Sequence, residues 1–307
     1  MSKRKNRKKR NVSTIPVKKV RRNYKDRLFR FIFGNENHKD WALNLYNAME
    51  NKQYTDPADL KIVTLENAVY MHMKNDVSML VQGWNLFFAE QQASLNPSIP
   101  YRLLGYCTTT YSKYVASLDN FNPYGKKPIK LPAPTFYVFY NGPEKAQKYD
   151  TLKLSDLYYN KPEEPMLELI VKQININGYN GPCVQLYEYE WFVERIRENC
   201  KIMQIEKAVN TALDDLPETF TIRQFLMLNK SEVIDMSIFE YDEEKHLRLL
   251  RGEAYEEGHE EGRLSNMADL ITRKMNTSGI SFEEACKDLL LNAEEMAACK
   301  EFMKIQN

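Results

Sequence analysis

The chain has 307 residues, of which 43% are hydrophobic and 28% are charged, and this composition excludes a wholly disordered protein and a membrane-embedded one. The formal net charge of +1 conceals a division, because residues 1–22 contain 11 Lys or Arg and no acidic residue. Removing these 11 from the 43 basic residues leaves 32 against 42 acidic residues, so residues 23–307 carry a formal charge of −10.

The first 22 residues are predicted to form a disordered basic tail. Like charges repel along this segment, and it has almost no apolar surface to bury, so it stays unfolded until it meets a polyanion. We expect that polyanion to be DNA, while a solubility or targeting segment is the alternative. The predicted DNA-binding residues of the tail are Lys3, Arg4, Lys5, Arg7, Lys8, Lys9, Arg10, Lys18, Lys19, Arg21 and Arg22.

Two short helices and three strands are predicted after the tail. Residues 24–34 (YKDRLFRFIFG) and 38–50 (HKDWALNLYNAME) have apolar residues at helical spacing. Strand-like runs follow at 64–73, 75–81 and 84–93, and Gln82 and Gly83 separate the last two as a hairpin turn.

A helix and further strands complete the first part of the chain. Residues 100–118 have helical spacing, and the apolar run PAPTFYVFYNG predicts a buried strand. The run MLELIVKQINI predicts an edge strand. The order of helix, three strands, helix and strand favours an α+β or mixed α/β fold over a doubly wound sheet.

The chain is predicted to be nearly all helical from Tyr187 onward. Residues 191–216 form one amphipathic pattern that ends at Pro217, and Ser281 with Glu284 has the spacing of a capping box. Between them EEGH and EEGR repeat, each with a helix-weakening glycine. We interpret this repeat as a solvated helix or as a self-association element that could make a homo-oligomer.

Several kinds of site are not indicated by the sequence. The five cysteines are widely spaced without a C-x-x-C pair, which favours reduced thiols, and the four histidines lack ligand spacing. No phosphate-binding or dinucleotide-binding glycine motif occurs, so we expect no nucleotide cofactor. No apolar run approaches the roughly 20 residues that span a bilayer, so we expect a cytoplasmic protein without a membrane partner.

Two acids in the predicted hairpin are the strongest candidates for chemistry. Glu90 and Gln92 project from one face of their strand, roughly 7 Å apart. Counting back from the turn brings Asp76 close to residues 89–91. Two buried carboxylates repel each other unless a cation lies between them, and oxygen ligands suit Mg²⁺.

Each of these residues also has a purely structural explanation. Glu90 could form a salt bridge with Arg102, and Gln92 could be a hydrogen-bonding core residue. Asp76 could be an ordinary residue at the start of a strand. Asp26 could pair with Arg30 on a helix surface at i to i+4 spacing.

Five segments taken together resemble a known family. They are KDRLFRFIFG, KNDVSMLV, AEQQAS, SIPYRLLGYCTTTYSKYV and PAPTFYVFYNG. Their order over residues 24–195 resembles the PD-(D/E)XK nuclease family transposases, the recombination-promoting nucleases, whose tails are often rich in Glu and Gly. The resemblance implies a restriction-endonuclease-like αβββαβ core with a mixed central sheet, followed by a helical C-terminal region. It also implies a DNA endonuclease that uses Mg²⁺ or Mn²⁺.

The resemblance assigns roles to individual residues. Asp76 matches the metal-binding aspartate and Glu90 the acid of the second strand, while Gln92 stands in the place of the lysine. Glutamine is common there in this group, but it brings no positive charge and can only orient water or phosphate by hydrogen bonds. Asp26 matches a further acid of the site. Arg102 and Tyr106 match positions that could contact phosphate.

The sequence predicts four segments: the tail at 1–22, a nuclease-like domain at 23–195, a helical extension at 196–250 and a Glu/Gly-rich helical region at 251–307. Two alternatives to a nuclease remain open. One is a catalytically inactive DNA-binding protein that keeps the fold. The other is an interaction protein that self-associates through its helical C-terminal half.

The tail generates a test of DNA contact. When the salt concentration is lowered, we expect the DNA affinity of the full chain to rise much more than that of a chain that begins at Asn23. Each neutralised phosphate adds about 0.9 to the magnitude of the slope of log affinity against log salt concentration. Fluorescence anisotropy with a labelled duplex measures both slopes. A full-length control with the 11 basic residues changed to Gln should match the shortened chain, and equal slopes for all three proteins would rule out tail contact.

Overall fold

The computed structural model describes residues 28–63, 76–118, 126 and 128–305, with side chains described except at 242–261 and 304–305. The chain divides into two compact units, Met1–Tyr241 and Asp242–Asn307. Asp26, the basic tail and the strand predicted at 64–73 lie outside the described residues.

The first unit contains a six-stranded mixed sheet in its described part. The strands lie in the order β1-β2-β3-β4-β6-β5. Pairs β3/β4 and β4/β6 are parallel, and the other three pairs are antiparallel. The mixed α/β class predicted from the sequence is therefore confirmed. The strands are β1 (Leu60–Ile62), β2 (Val77–Val81), β3 (Asn85–Gln92), β4 (Ala133–Tyr140), β5 (Tyr149–Lys153) and β6 (Ile170–Asn175).

Helices cover both faces of this sheet. Helix α3 (Ile99–Ala116) packs on one face, where Leu103 and Cys107 contact a cluster that contains Leu86 and Phe88. The other face carries the larger apolar cluster, which holds Phe87, Ala89 and residues of six helices. These helices are α1 (Leu28–Phe33), α2 (Lys39–Glu50), α4 (Val184–Cys200), α5 (Ile205–Asp214), α6 (Arg223–Leu228) and, through Val233, α7 (Lys230–Ser278).

The predicted hairpin is confirmed. The loop is one residue longer than predicted, because Val81 pairs with Asn85 across Gln82, Gly83 and Trp84. Gln82 and Gly83 have φ values of 55° and 73°, and positive φ at successive turn residues matches the natural twist of paired strands. Seven of the eight residues of β3 are buried, because helices lie over both faces of this central strand. Helices α1, α2 and α3 also form where the apolar spacing predicts them.

The prediction of an edge strand in MLELIVKQINI is wrong. That run forms β6, which lies between β4 and β5, so that β1 and β5 are the two edge strands of the described sheet. Strand β5 has the polar sequence YDTLK and four exposed residues. Such a strand carries no apolar run for a sequence pattern to detect, because its stability comes from pairing with β6.

The single helix predicted over residues 191–216 is also wrong, because the chain forms α4 and α5 with a break at 201–204. No Pro or Gly marks this break. The two helices contact each other, and both contribute to the larger apolar cluster. The chain therefore turns between α4 and α5 because the two helices pack together, although local helix propensity does not indicate a turn there.

The second unit is helical in its described part. It contains α8 (Phe282–Asp288), α9 (Ala293–Ile305) and the later residues of α7 (Lys230–Ser278), which includes the EEGHEEGR repeat. The predicted capping box is confirmed, since Glu284 N donates to Ser281 Oγ and Ser281 N donates to a carboxylate oxygen of Glu284. Of its described helices, none is long and apolar enough to cross a bilayer, and the same holds for those of the first unit.

The junction after β4 generates a stability test. A Cβ added to Gly142 would lie 2.1 Å from Ala93 O and 2.6 Å from the Tyr140 hydroxyl, so we expect Gly142→Ala to lower the unfolding free energy by about 1–3 kcal/mol. The control is Gly105→Ala in α3, where an added Cβ meets nothing within 4 Å and should raise stability by about 0.5–1 kcal/mol. Urea unfolding measures both. Equal stability of the two variants would contradict this close approach of the strand ends.

Candidate functional site

Strand pairing brings the two predicted acids together. Val77 lies opposite Ala89, so the preceding residue, Asp76, comes opposite Glu90. Asp76 N donates to Glu90 Oε1 at 3.0 Å, and Gln91 N donates to Asp76 Oδ2 at 2.6 Å. Asp76 is 6% exposed and Glu90 is 2% exposed. The meeting of Asp76 and Glu90 predicted from the turn is therefore confirmed.

The side chains of the site share one face of the sheet with α3. Side chains alternate along a strand, so Glu90 and Gln92 lie on the same face as Phe88, which packs in the cluster beneath α3. Arg102 and Tyr106 lie one turn apart on that helix. The structure thus brings five of the six predicted active-site residues together, and the sixth, Asp26, lies outside the described residues.

Arg102 lies against the acidic pair. Its Nη2 is 3.5 Å from Glu90 Oε2 and donates to the Tyr106 hydroxyl at 3.3 Å. The predicted alternative of a Glu90–Arg102 salt bridge is therefore present. Its separation exceeds the roughly 2.7–2.9 Å of a tight charge-assisted hydrogen bond.

The local charges set the protonation of the two α3 residues. Burial lowers the pKa of Arg102, but the carboxylate of Glu90 and the contact with Tyr106 raise it, and the net shift is upward. Burial and the charge of Glu90 raise the pKa of Tyr106 above its ordinary value. At neutral pH, Arg102 is therefore a cation and Tyr106 keeps its proton.

Two buried polar atoms of the site have no hydrogen-bond partner among the described residues. They are Gln92 Oε1, an acceptor, and Arg102 Nε, a donor. A buried polar atom left without a partner costs about 1–3 kcal/mol. A water molecule is the kind of group that would donate to Gln92 Oε1, and a water or phosphate oxygen is the kind that would accept from Arg102 Nε. This pair of atoms is therefore the part of the site most suited to a polar ligand.

The residues fit a hard divalent cation. Two carboxylates face one guanidinium, which leaves an excess of negative charge when both acids are ionised. Mg²⁺ and Mn²⁺ accept carboxylate oxygens, and Mg²⁺ usually keeps several waters, so two protein ligands are sufficient. The described residues contain no group of three or more His, Cys, Asp or Glu side chains that could hold a metal. Asp76 and Glu90 are thus a pair of possible ligands.

Comparison with known proteins assigns no family or function to this site. The chain matches no family model, no curated protein and no solved structure. Membership of the PD-(D/E)XK nucleases, inferred from the five sequence segments, therefore stays a prediction. The functional argument rests on the residues of the site.

Three residues that were not predicted support the site from the opposite face of the sheet: Gln91 and Asn141 contact it directly, and Arg197 contacts Asn141. Gln91 Nε2 donates to Asn141 Oδ1 at 2.7 Å, and Arg197 also donates to Asn141. Side chains alternate along the EQQ run, so Gln91 points to the other face of the sheet from Glu90 and Gln92. This alternation was the only sequence signal for Gln91. Nothing in the sequence indicates that Arg197 contacts Asn141, because the two residues are 56 positions apart in the chain.

The Glu90–Arg102 contact generates a test of coupling. We expect Arg102→Met to lower the unfolding free energy by about 1–3 kcal/mol, because it leaves the buried carboxylate of Glu90 without its cation. In a Glu90→Gln background the same substitution should cost much less, since the charge is gone. Urea unfolding of the four proteins of this double-mutant cycle gives the coupling energy. An identical cost in both backgrounds would show that the 3.5 Å contact contributes nothing.

Proposed function

We propose that the protein is a DNA endonuclease that uses Mg²⁺ or Mn²⁺ to hydrolyse phosphodiester bonds. The observation that carries this proposal is the buried Asp76–Glu90 pair, which shares one face of the sheet with Gln92 and Arg102. Buried acids side by side with orienting polar groups are the components that metal-assisted hydrolysis requires.

The order of elements supports a restriction-endonuclease-like core. Helices α1 and α2 precede the antiparallel strands β1, β2 and β3, and α3 then leads to β4, which is parallel to β3. With α1 and α2 counted as one helical segment, the described elements follow an αβββαβ order with a mixed central sheet. The same order, together with the five sequence segments, supports a relationship to recombination-promoting nucleases.

Each residue has a defined part in the proposed reaction. Asp76 and Glu90 would hold the divalent ion, which supplies Lewis-acid stabilisation of the charge that develops on the phosphate. Gln92 would orient the attacking water through its buried Oε1. One water adds its hydroxyl to phosphorus and its proton to the leaving oxygen, so the P–O bond breaks without a redox change.

Arg102 would supply the positive charge that Gln92 lacks. Its guanidinium is held beside Glu90 and Tyr106, and its buried Nε is available to donate to a phosphate oxygen. Arginine suits this role because its donors match the geometry of phosphate and its charge persists at all ordinary pH values. Tyr106 keeps its proton and so could also donate a hydrogen bond.

The basic tail supports DNA as the partner. Eleven positive charges can neutralise phosphates, while residues 23–307 are acidic overall and would repel DNA. The five cysteines all lie in the described part of the chain and none forms a disulfide. This fits a reducing compartment, and we propose the cytoplasm.

The Glu90–Arg102 contact favours a second candidate function. If this ion pair neutralises Glu90 for stability alone, the protein would be an inactive DNA-binding or self-assembling protein that retains the fold. Both candidates predict DNA binding or assembly, and only the first predicts a metal requirement.

Plasmid cleavage separates the two candidates. We expect the wild-type chain to nick supercoiled plasmid with Mg²⁺ and not with EDTA. Asp76→Ala and Glu90→Ala should each lower the rate by about 100-fold or more, because loss of a metal ligand removes several kcal/mol of transition-state stabilisation. Gel electrophoresis over time measures the rates.

The matched control is Asp150→Ala, which removes an exposed carboxylate of β5 and should leave the rate unchanged. Nicking that survives both site substitutions would show that Asp76 and Glu90 are not the metal ligands. DNA binding without nicking in Mg²⁺ or Mn²⁺ would favour the inactive protein.

A further inference from the structure

Asn141 occupies a buried junction at the end of β4, on the face of the sheet opposite Glu90. It is 1% exposed. Arg197 of α4 donates to both Asn141 O and Asn141 Oδ1, the second at 3.3 Å, while Gln91 Nε2 donates to the same Oδ1 at 2.7 Å. Because Arg197 can only donate, the amide oxygen of Asn141 must face it, and Gln91 donates to that same oxygen.

This junction is joined to the candidate site by two hydrogen bonds that backbone N–H groups donate. Asn141 N donates to Gln92 O at 3.0 Å. Gln91 N donates to Asp76 Oδ2 at 2.6 Å, while the side chain of Gln91 reaches Asn141. The residues that hold Asp76 and carry Gln92 are therefore the same residues that the Arg197–Asn141 contact fixes.

The connection has consequences for the geometry of a metal site. A divalent ion binds tightly only when its carboxylate ligands are already held at the correct separation, and the groups that orient ligands contribute to affinity. The strand pairing of β3 stops at its C-terminal end. The position of this end therefore depends on the contacts made by the residues beyond the paired part. Arg197 is the cation that makes two of these contacts from a different helix.

We propose that Arg197 and Asn141 are positioning residues, which act through Gln91 and Gln92 to set the separation of the Asp76 and Glu90 carboxylates. This inference rests on the proposed metal-dependent function. Arg197 lies two residues beyond the predicted end of the nuclease-like domain at 195. The helical part of the chain therefore controls the metal affinity of the site as well as adding to the apolar core.

The test compares two arginines of α4. Arg197→Met removes the contacts to Asn141, whereas the control Arg195→Met removes surface contacts to Glu198 and Asp215 at 3.5 and 3.8 Å. We measure the Mg²⁺ dissociation constant by calorimetry, then kcat, KM for plasmid and the Mg²⁺ concentration at half-maximal rate.

For Arg197→Met we expect the Mg²⁺ dissociation constant to rise and kcat to fall, each by about 10–100-fold, with KM for DNA nearly unchanged. Arg195→Met should match the wild type in all of these. Arg197→Lys keeps the charge and one donor group, so it should recover part of the metal affinity. It also serves as the informative variant if Arg197→Met does not fold, which circular dichroism reports.

A double-mutant cycle tests the route through Gln91. If Arg197 acts through Gln91, then Gln91→Ala combined with the Arg197 substitution should weaken Mg²⁺ binding no more than the larger single effect. Additive effects would overturn this route. Equal Mg²⁺ affinity and equal kcat in the Arg197 and Arg195 variants would overturn the inference, even if Arg197→Met lowers the melting temperature.

Failure of the inference and failure of the proposed function give different results. A wild-type chain that binds Mg²⁺ but cleaves no DNA contradicts the proposed function, while calorimetry on the variants still decides the role of Arg197. A wild-type chain that neither binds Mg²⁺ nor cleaves DNA overturns both.

Discussion

The register of β2 against β3 is the constraint on which the candidate site depends. Gln82, Gly83 and Trp84 form the loop, the first two of them with positive φ, and Asn85 then pairs with Val81. A slip of one residue would send every side chain of β3 to the other face of the sheet. The side chain of Glu90 would then point away from α3 and into the larger apolar cluster. A short turn thus decides which face holds the acids.

Burial of Asp76 and Glu90 requires compensation, and the structure supplies it in two ways. Backbone N–H groups of the same hairpin donate to both carboxylates, so the acids close the end of the strand pair. Arg102 adds a positive charge from α3 at a longer distance. The hairpin orients the carboxylates and the helix moderates their charge. Arg102 Nε and Gln92 Oε1 have no hydrogen-bond partner among the described residues.

The parallel pairing of β3 and β4 connects the two faces of the sheet at this point. Asn141 follows β4 directly and lies beside the end of β3, where Gly142 lets the backbone approach Ala93 closely. Arg197 reaches this junction from the larger helical layer. The acids on one face are consequently held by residues whose side chains lie on the other.

The sequence alone determined the local features of this protein. Periodicity predicts α1, α2 and α3, turn chemistry predicts the hairpin, and counting from Gln82 and Gly83 places Asp76 near Glu90. These features depend on residues close in the chain, and their signals are therefore readable in a short stretch. The basic tail and the acidic remainder follow from composition in the same way.

Only the tertiary structure decided the long-range features. The break between α4 and α5, the edge position of β5 and the contacts of Arg102 and Arg197 depend on which surfaces meet when distant segments pack. The break has no Pro or Gly to mark it, and β5 has no apolar run. Arg197 resembles any other arginine of an amphipathic helix until α4 covers the sheet and brings it to Asn141.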